Sequence, residues 1–345
     1  MATYLESPYS DEVLSSVICR YIERMKVQSR AKFLRKLFGY NPVFGPLNIP
    51  KLAVFAEEVD DVWGWTPEEI ANKLTSFPYY AAFLYPNEEE ALLQSCVHER
   101  GGRSFIKITS TGNELRFCRE CFREDRLEGR EQYWRRAHQL PGVIYCTRHR
   151  VLLRVIDYRR APKFSWATQS EYNGCDIGMP VTQSAKQREH CLTVAEVSEW
   201  LLKGGARLET KDLFPLWLKI AEESGFGRTK NFRPNFEKAV DEFFGSDYVN
   251  LFSLLSNRGS QNTGFKTLAY GGRTPLVRIL ALGVFFAGCA QKLHRTTWPA
   301  CPGLLAEGKD CESYEQVFNR LTQTAPCTCG FCVTGALSSA KSSNA

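Results

Sequence analysis

Four residues of the chain have the types and the spacing of a metal site. Cys118-Arg-Glu-Cys121 supplies two thiols, and Cys146-Thr-Arg-His149 supplies a thiol and an imidazole at the same spacing. Three thiolates and one imidazole are a full ligand set for tetrahedral Zn²⁺, whose structural sites are closed by four protein ligands. Because a closed site leaves no open position for a substrate, we predict a structural zinc that folds its segment rather than a catalytic one.

A second group of cysteines lies near the end of the sequence. It includes the run Cys-Thr-Cys-Gly-Phe-Cys, and some of its members could hold a second zinc ion. A CxC spacing is less diagnostic than CxxC, so free thiols are the alternative. The members of this candidate second metal site are Cys301, Cys311, Cys327, Cys329 and Cys332.

The motifs of common enzyme classes are missing from the sequence. There is no GxGxxG, no phosphate-binding GK[ST] loop, no HExxH and no GxSxG, and the five histidines are scattered. These observations favour a binding protein without catalytic residues. A zinc-dependent nuclease or hydrolase is the alternative from another class, and it would need an open metal position.

Basic residues are concentrated in parts of the chain. The net charge is +6, and residues 116–160 contain twelve arginines against six acidic residues. Localised basic surface suits a polyanion or an acidic protein partner. The alternative is an ordinary solvated surface, which net charge alone does not exclude.

Cysteine usage and hydropathy predict a cytoplasmic protein. Thirteen cysteines are an odd number, which favours metal ligands and buried thiols in a reducing compartment over disulfides. No apolar run reaches the roughly 20 residues that a membrane helix needs, so no membrane is expected as a partner. The first residues lack the basic and apolar regions of a signal peptide.

Around the four candidate ligands, the pattern predicts a mainly α protein with a small zinc-ribbon-like β element. Apolar residues recur at helical spacing from Val13 to Tyr21, with Ser10 as the predicted cap. Thr66-Pro67-Glu68-Glu69 has the form of a capping box with proline in the first turn. Short strands are predicted at 115–117 and 143–145, leading into the two ligand pairs, and a short helix at 131–139.

This pattern divides the chain into five parts. The predicted ranges are 1–110 for an N-terminal helical domain, 111–158 for the zinc-binding module, 159–190 for a connector, 191–334 for a C-terminal helical domain and 335–345 for a flexible tail.

The C-terminal domain contains a helix-turn-helix-like outline. Asp212 is the predicted cap of one helix, Gly225-Phe226-Gly227 is the turn, and a second helix follows at 231–244. Basic residues at the turn and on the second helix could contact DNA phosphates. Helix pairs with a glycine turn are also common in domains that bind nothing. The candidate DNA-binding residues are Arg228, Lys230, Arg233 and Lys238.

Several motifs together resemble the TniQ/TnsD family. The N-terminal signature is similar over 8–21 and at Leu37-Phe38-Gly39, and the middle motif over 77–83. The strongest resemblance runs from Phe117-Cys118 through Tyr133-Trp134-Arg135-Arg136 and the Leu-Pro-Gly turn at 140–142 to the second ligand pair and 152–153. The order, spacing and residue types agree over residues 8–153, and residues 214–244 resemble the family's following helical region less specifically.

The resemblance implies a non-catalytic target-selection protein of transposons. Such an adaptor links target recognition, by an RNA-guided CRISPR effector or by double-stranded DNA, to a AAA+ ATPase that regulates transposition. The alternative within the family is a TnsD-like selector that reads a fixed attachment site directly. The family's zinc ligands correspond to Cys118, Cys121, Cys146 and His149. The chain is shorter than TnsD proteins, which favours the adaptor, and self-association as a homodimer stays open.

Overall fold

The structure is a computed structural model, and two compact units make up the chain. Its described residues are 4–40, 51–98, 114–157, 176–205, 217, 220–226, 232–255 and 276–297. The first unit is formed mainly by residues 1–207, and the second mainly by residues 208–345. None of the helices in the described ranges combines the length and the hydropathy that a bilayer crossing requires.

Helices form most of the first unit. In chain order they are α1 (Leu14–Arg24), α2 (Arg30–Phe38), α3 (Leu52–Trp63), α4 (Pro67–Leu74), α5 (Phe77–Ala81), α6 (Pro86–His98), α7 (Arg119–Leu127), α8 (Arg136–Gln139) and α9 (Ala185–Leu202). Helices α2 to α6 pack on one another, and α9 packs on α5 and α8. Rings of Phe38 and Phe55 stack at 5.1 Å between α2 and α3, where both side chains are fully buried.

A three-stranded antiparallel sheet lies beside these helices. Its strands are β1 (Glu114–Phe117), β2 (Arg154–Asp157) and β3 (Asp176–Gly178), in the order β1-β2-β3. Leu115 pairs with Ile156, and both side chains are buried. Phe117 of β1 then stacks on Phe122 of α7 at 4.8 Å, so an apolar cluster joins the sheet to α7.

The segment before α1 forms part of this module. Glu12 makes an isolated antiparallel bridge with Arg135, and the amide of Val13 donates to the carbonyl of Trp134 at 2.9 Å. The amide of Arg136 donates to the carbonyl of Asp11 at 2.8 Å. Residues 8–13 are hereafter called the N-terminal strap, since they fasten α1 to the segment before α8.

A fully buried ion pair holds the N-terminal strap to α1. Arg20 donates to both carboxylate oxygens of Glu12, at 2.8 and 2.9 Å, and Ser16 donates to the same carboxylate at 2.7 Å. A third nitrogen of Arg20 reaches Glu131 at 3.0 Å. Because every carboxylate oxygen of Glu12 has donors, the buried charges are compensated in place.

The second unit has an aromatic core. Its described helices are α10 (Phe232–Phe244), α11 (Ser246–Leu251) and α12 (Leu276–Thr297). Phe236 of α10 lies edge-on to Phe285 of α12 at 5.7 Å and stacks on Phe286 at 6.0 Å. Trp217 stacks on Phe286 at 5.5 Å, which brings the short described helical stretch around 220–223 into the same core.

The predicted fold class is confirmed, because a mainly helical chain carries a small sheet next to a Cys/His cluster. The capping box at Thr66 and Glu69 is present, and proline follows Thr66. Gly39 ends α2 with φ 71°, a conformation that favours glycine. The outline around Gly225 is described only in part, since Asp212 and Gly227 lie outside the described residues.

Other local predictions differ from the structure. Helix α1 begins at Leu14 with Val13 as its N-cap, because the N-terminal strap pairs with residues 134–136 and keeps Ser10 in a turn. The predicted helix at 131–139 is confined to Arg136–Gln139, since the preceding residues hydrogen-bond to the strap. In place of a strand at 143–145 there is a single bridge between Tyr145 and Leu152.

The domain ranges stay a prediction, and α9, which spans the predicted boundary at 190, lies in the first unit.

The Glu12→Gln variant should lose about 3 kcal/mol of unfolding free energy, because Arg20 would stay buried without its main counterion. Urea unfolding followed by circular dichroism would measure this loss. Arg123→Gln is the matched control, since Arg123 makes an exposed pair with Glu120 and should change stability by about 0.5 kcal/mol or less. Equal midpoints for both variants would contradict the importance of the buried pair.

Candidate metal centre

The first ligand pair is positioned by the end of β1 and the start of α7. Cys118 follows Phe117 and is the N-cap residue of α7, and Cys121 lies in the first turn of that helix. Both thiols are buried. The packing of Phe117 on Phe122 fixes the angle between strand and helix, so the two sulfur atoms converge on one point.

The second ligand pair lies in a tight turn. The amide of Cys146 donates to the carbonyl of Val151 at 2.9 Å, and the amide of Arg150 donates back to the carbonyl of Cys146 at 2.8 Å. Arg150 adopts φ 54°, in the left-handed region, which lets the chain reverse within a few residues. The reversal places His149 on the same side as Cys146.

The four candidate ligands come together with the spacing of a tetrahedral site. Their ligand atoms all lie within 4.8 Å of one another. The Sγ atoms of Cys121 and Cys146 are 3.7 Å apart, and Nδ1 of His149 lies 3.3 to 3.6 Å from the three sulfur atoms. Metal–sulfur bonds of about 2.3 Å and metal–nitrogen bonds of about 2.0 Å at tetrahedral angles require S–S and S–N separations of about 3.8 and about 3.5 Å. The cluster could therefore hold one metal ion.

The thiols also have a charge that a cation would offset. Hydrogen bonding with Cys121 lowers the pKa of Cys118, whereas hydrogen bonding with Cys118 raises the pKa of Cys121. Hydrogen bonding with Cys118 likewise raises the pKa of Cys146 to about 11. Together the three thiols resist carrying more than one negative charge on their own, and a divalent ion would stabilise all three as thiolates.

Glu124 orients the imidazole ligand. Nε2 of His149 lies 3.0 Å from Oε1 of Glu124, while Nδ1 of the same ring points at the sulfur atoms. A carboxylate on the outer nitrogen of a ligand histidine fixes its tautomer and its ring orientation. The other oxygen of Glu124 is 3.1 Å from Arg148, and hydrogen bonding with His149 lowers the pKa of the carboxyl group.

A second carboxylate of α7 holds the helix to the segment before α8. Asp125 is fully buried, and both of its oxygens accept from Arg135, at 2.7 and 3.0 Å. The guanidinium of Arg135 also lies over the ring of Tyr133 at 4.1 Å. A bidentate arginine–carboxylate pair of this kind stabilises one relative orientation of the two segments.

Arg116 likewise holds two segments of the module together, β1 and the Leu-Pro-Gly turn. It is buried, and it donates to the carbonyls of Val143 at 2.5 Å and Gln139 at 2.7 Å. The side chain of Gln139 in turn accepts from the backbone amide of residue 116 and donates to its carbonyl. These bonds hold the Leu-Pro-Gly turn against β1, just ahead of the second ligand pair.

Helix α9 covers the second ligand pair, although it begins well after it in the sequence. Thr147 donates a short hydrogen bond to Glu199. Arg150 pairs with Glu189 at 2.5 Å and with Glu196 at 2.8 Å. The turn that carries Cys146 and His149 is therefore fastened to a helix more than 30 residues away in the chain.

The remaining candidate residues do not join this centre in the described structure. All five cysteines of the candidate second metal site lie outside the described residues, as do Arg228 and Lys230. Arg233 lies on α10 and its side chain is not described. Lys238 is exposed on α10, 3.8 Å from Glu242.

Sequence reasoning did not identify the residues that support the ligands. Only Glu124 could have been found from local spacing, since it stands three residues after Cys121 on a helix and so shares a face with it. Arg135 belongs to the family-like motif at 133–136, but its contact with Asp125 was not predicted, and Arg116 gave no signal because its partners lie more than 20 residues away in the chain. His138 is a buried packing residue, and burial, followed by the charge of Arg135, lowers its pKa to about 3.

Comparisons with known proteins cover the part of the chain that holds the metal centre. The family model described as TniQ matches residues 5–153. The chain is also similar to the transposon Tn7 transposition protein TnsD of Escherichia coli, with 26% identity over 164 residues. That alignment covers 44% of this chain and 32% of the relative, so the chain spans about a third of the length of the curated relative that it matches.

Glu124→Gln should weaken metal binding by about 10- to 100-fold, because the histidine ligand loses the carboxylate that orients it. Competition with a chromophoric chelator would measure the affinity of the purified protein. Glu128→Gln is the control, since Glu128 is on the same stretch of chain but pairs with Arg130 rather than with a ligand. Equal affinities for the two variants would contradict the role of Glu124.

Proposed function

Because the chain belongs to the TniQ family through residues 5–153, we propose that it is a non-catalytic target-selection protein of transposition. It links recognition of a target to a AAA+ ATPase that regulates transposition. The target is recognised either by an RNA-guided CRISPR effector or as double-stranded DNA. We place this action in the cytoplasm.

The metal centre supports an architectural role for this domain. We propose Zn²⁺ as the ion and Cys118, Cys121, Cys146 and His149 as its ligands, since three cysteines and one histidine are a set that structural zinc prefers. Four protein ligands leave no coordination position for a substrate or an activated water. The zinc would thus hold the module in one shape, and its binding free energy would contribute to folding.

A second candidate function is direct reading of DNA. The similarity to TnsD supports it, because a TnsD-like selector is the alternative to an adaptor that the family resemblance implies. In this alternative the chain would be a sequence-specific DNA-binding selector of a fixed attachment site. Basic residues of the C-terminal part, including Arg228, Lys230, Arg233 and Lys238, would contact phosphates.

The purified protein should contain about one zinc ion per chain, and Cys146→Ser should lose it together with the fold of the module. Elemental analysis gives the stoichiometry, and near-ultraviolet circular dichroism reports the packing of Trp134 and its neighbours. Cys96→Ser is the control, since Cys96 is a buried thiol of α6 that belongs neither to the four candidate ligands nor to the apolar cluster around Trp134. Metal-free, folded wild-type protein would contradict the proposed centre.

The two modes of targeting predict different binding partners for the purified chain in the absence of an effector. An adaptor should bind the purified AAA+ regulator and show no preferred site on tiled host DNA at physiological salt. A direct selector should protect one site without any effector, with affinity that falls steeply as salt rises. Footprinting with and without a guide-RNA effector separates them. Absence of a complex with the regulator would contradict both modes.

A further inference from the structure

A groove of about 490 Å³ opens on the first unit, away from the metal ligands. Its walls come from residues 8–11 of the N-terminal strap, from the C-terminal end of α4 with Pro78, and from residues 202–204 at the end of α9. Trp65 and Arg136 complete it. This volume is within the range of sites that enclose a ligand or a few side chains of a partner.

Three cationic side chains line this groove, against a single carboxylate. The cations are Lys73, Arg136 and Lys203, and the carboxylate is Asp11. Asp11 is already engaged, because its two oxygens accept from Arg136 and from the amide of residue 137, each at 3.2 Å. The groove favours an anionic ligand when the two lysines turn away from Glu69 and Glu199, the carboxylates outside its lining that they now pair with.

The two lysines can exchange their present partners at little cost. Lys73 pairs with Glu69 at 3.1 Å and lies over the ring of Trp65 at 4.2 Å. Lys203 pairs with Glu199 at 2.6 Å. The two lysine side chains are 45% and 67% exposed, so solvent screens both pairs and they contribute little to stability. Glu199, which is 26% exposed, still accepts from Thr147 when Lys203 leaves it.

Arg136 is held rigidly and keeps a donor for a ligand. Its Nε donates to Asp11, and its Nη1 donates to the carbonyls of Asn72 at 2.6 Å and Thr75 at 3.0 Å. Within the described part of the chain, Nη2 has no hydrogen-bond partner. Since the side chain is only 11% exposed, its charge is fixed at the groove wall before any ligand arrives.

Much of the remaining wall is apolar or aromatic, although Ser10 and Asn72 are polar. The apolar surface comes from Pro8, Tyr9, Trp65, Leu74, Pro78 and Leu202. A DNA duplex is too broad to enter a groove of this volume, and a backbone phosphate would meet the cations without using the apolar wall. A peptide can supply both a carboxylate and an apolar side chain.

We propose that the groove beside the N-terminal strap binds an acidic peptide segment of the AAA+ regulator. A carboxylate of the peptide pairs with Arg136 and one of the two lysines, and a neighbouring apolar side chain packs against Trp65 and the prolines. This inference rests on the proposed function, since that function supplies the partner.

Charge reversal of both lysines tests the proposal. The double variant Lys73→Glu/Lys203→Glu should weaken binding of the purified regulator by about tenfold or more at low salt, and less at high salt, because exposed charges are screened. Lys186→Glu is the matched control: it carries the same change at the exposed first turn of α9, outside the groove. Metal content and helical circular dichroism must match the wild type for all variants.

The possible outcomes distinguish failure of the groove as a binding site from failure of the proposed function. Selective loss of regulator binding in the double variant supports the groove. Equal binding by wild type, control and double variant overturns the groove and leaves the proposed function standing. No binding by the wild type overturns the proposed function and the groove's partner with it. Loss of binding to a 30-base-pair duplex, with regulator binding intact, overturns the peptide as occupant.

Tiled 12-residue peptides of the regulator give an independent measurement. Fluorescence titration of the wild-type chain should find binding confined to acidic peptides that also contain an aromatic or leucine residue. The Trp65→Ala variant should bind these peptides several-fold more weakly, because it removes apolar contact without changing charge. Binding of basic peptides alone would overturn the proposal.

Discussion

Three thiols and an imidazole lie within 4.8 Å of one another in a module with an apolar core, and their burial requires that their charge be offset. Thiolates held this close repel one another, and water is largely excluded from them. A divalent ion would remove this repulsion, and its binding free energy would then contribute to folding. The strand end, the first turn of α7 and the tight turn at 146–150 are all arranged to meet at this one point.

A series of ion pairs, most of them buried, connects the candidate ligands to the N-terminal strap and α1. Glu124 orients His149, and the next residue, Asp125, fixes Arg135. The segment around Arg135 bridges to Glu12, whose carboxylate is bound by Arg20 of α1. Each buried carboxylate is matched by a guanidinium in bidentate geometry, so the charges give orientation without leaving an unpaired ion inside. The metal centre, the N-terminal strap and α1 thus form one connected framework.

This framework extends past the residues that match the TniQ family model. Helix α9 begins at Ala185, yet its glutamates bind the turn of the second ligand pair, and its last residues form one wall of the groove. The match to the family model ends at residue 153. The physical unit continues, since the turn at 147–150 needs partners that only a later helix supplies.

The sequence by itself determined the four candidate ligands, the capping box at Thr66, the end of α2 at Gly39 and the mainly helical class. Each of these features depends only on residue types and on their spacing over a few positions. Tertiary structure alone decided the start of α1, the short α8, the pairing of β1 with β2 and the groove. Asp11, Glu12, Arg116 and Arg135 find their partners across many residues, and no periodicity records such a contact. Where the local propensity of a segment conflicts with such a distant contact, the packed structure decides which one forms. The reason is that a buried charge needs a partner, however far away in the sequence that partner lies.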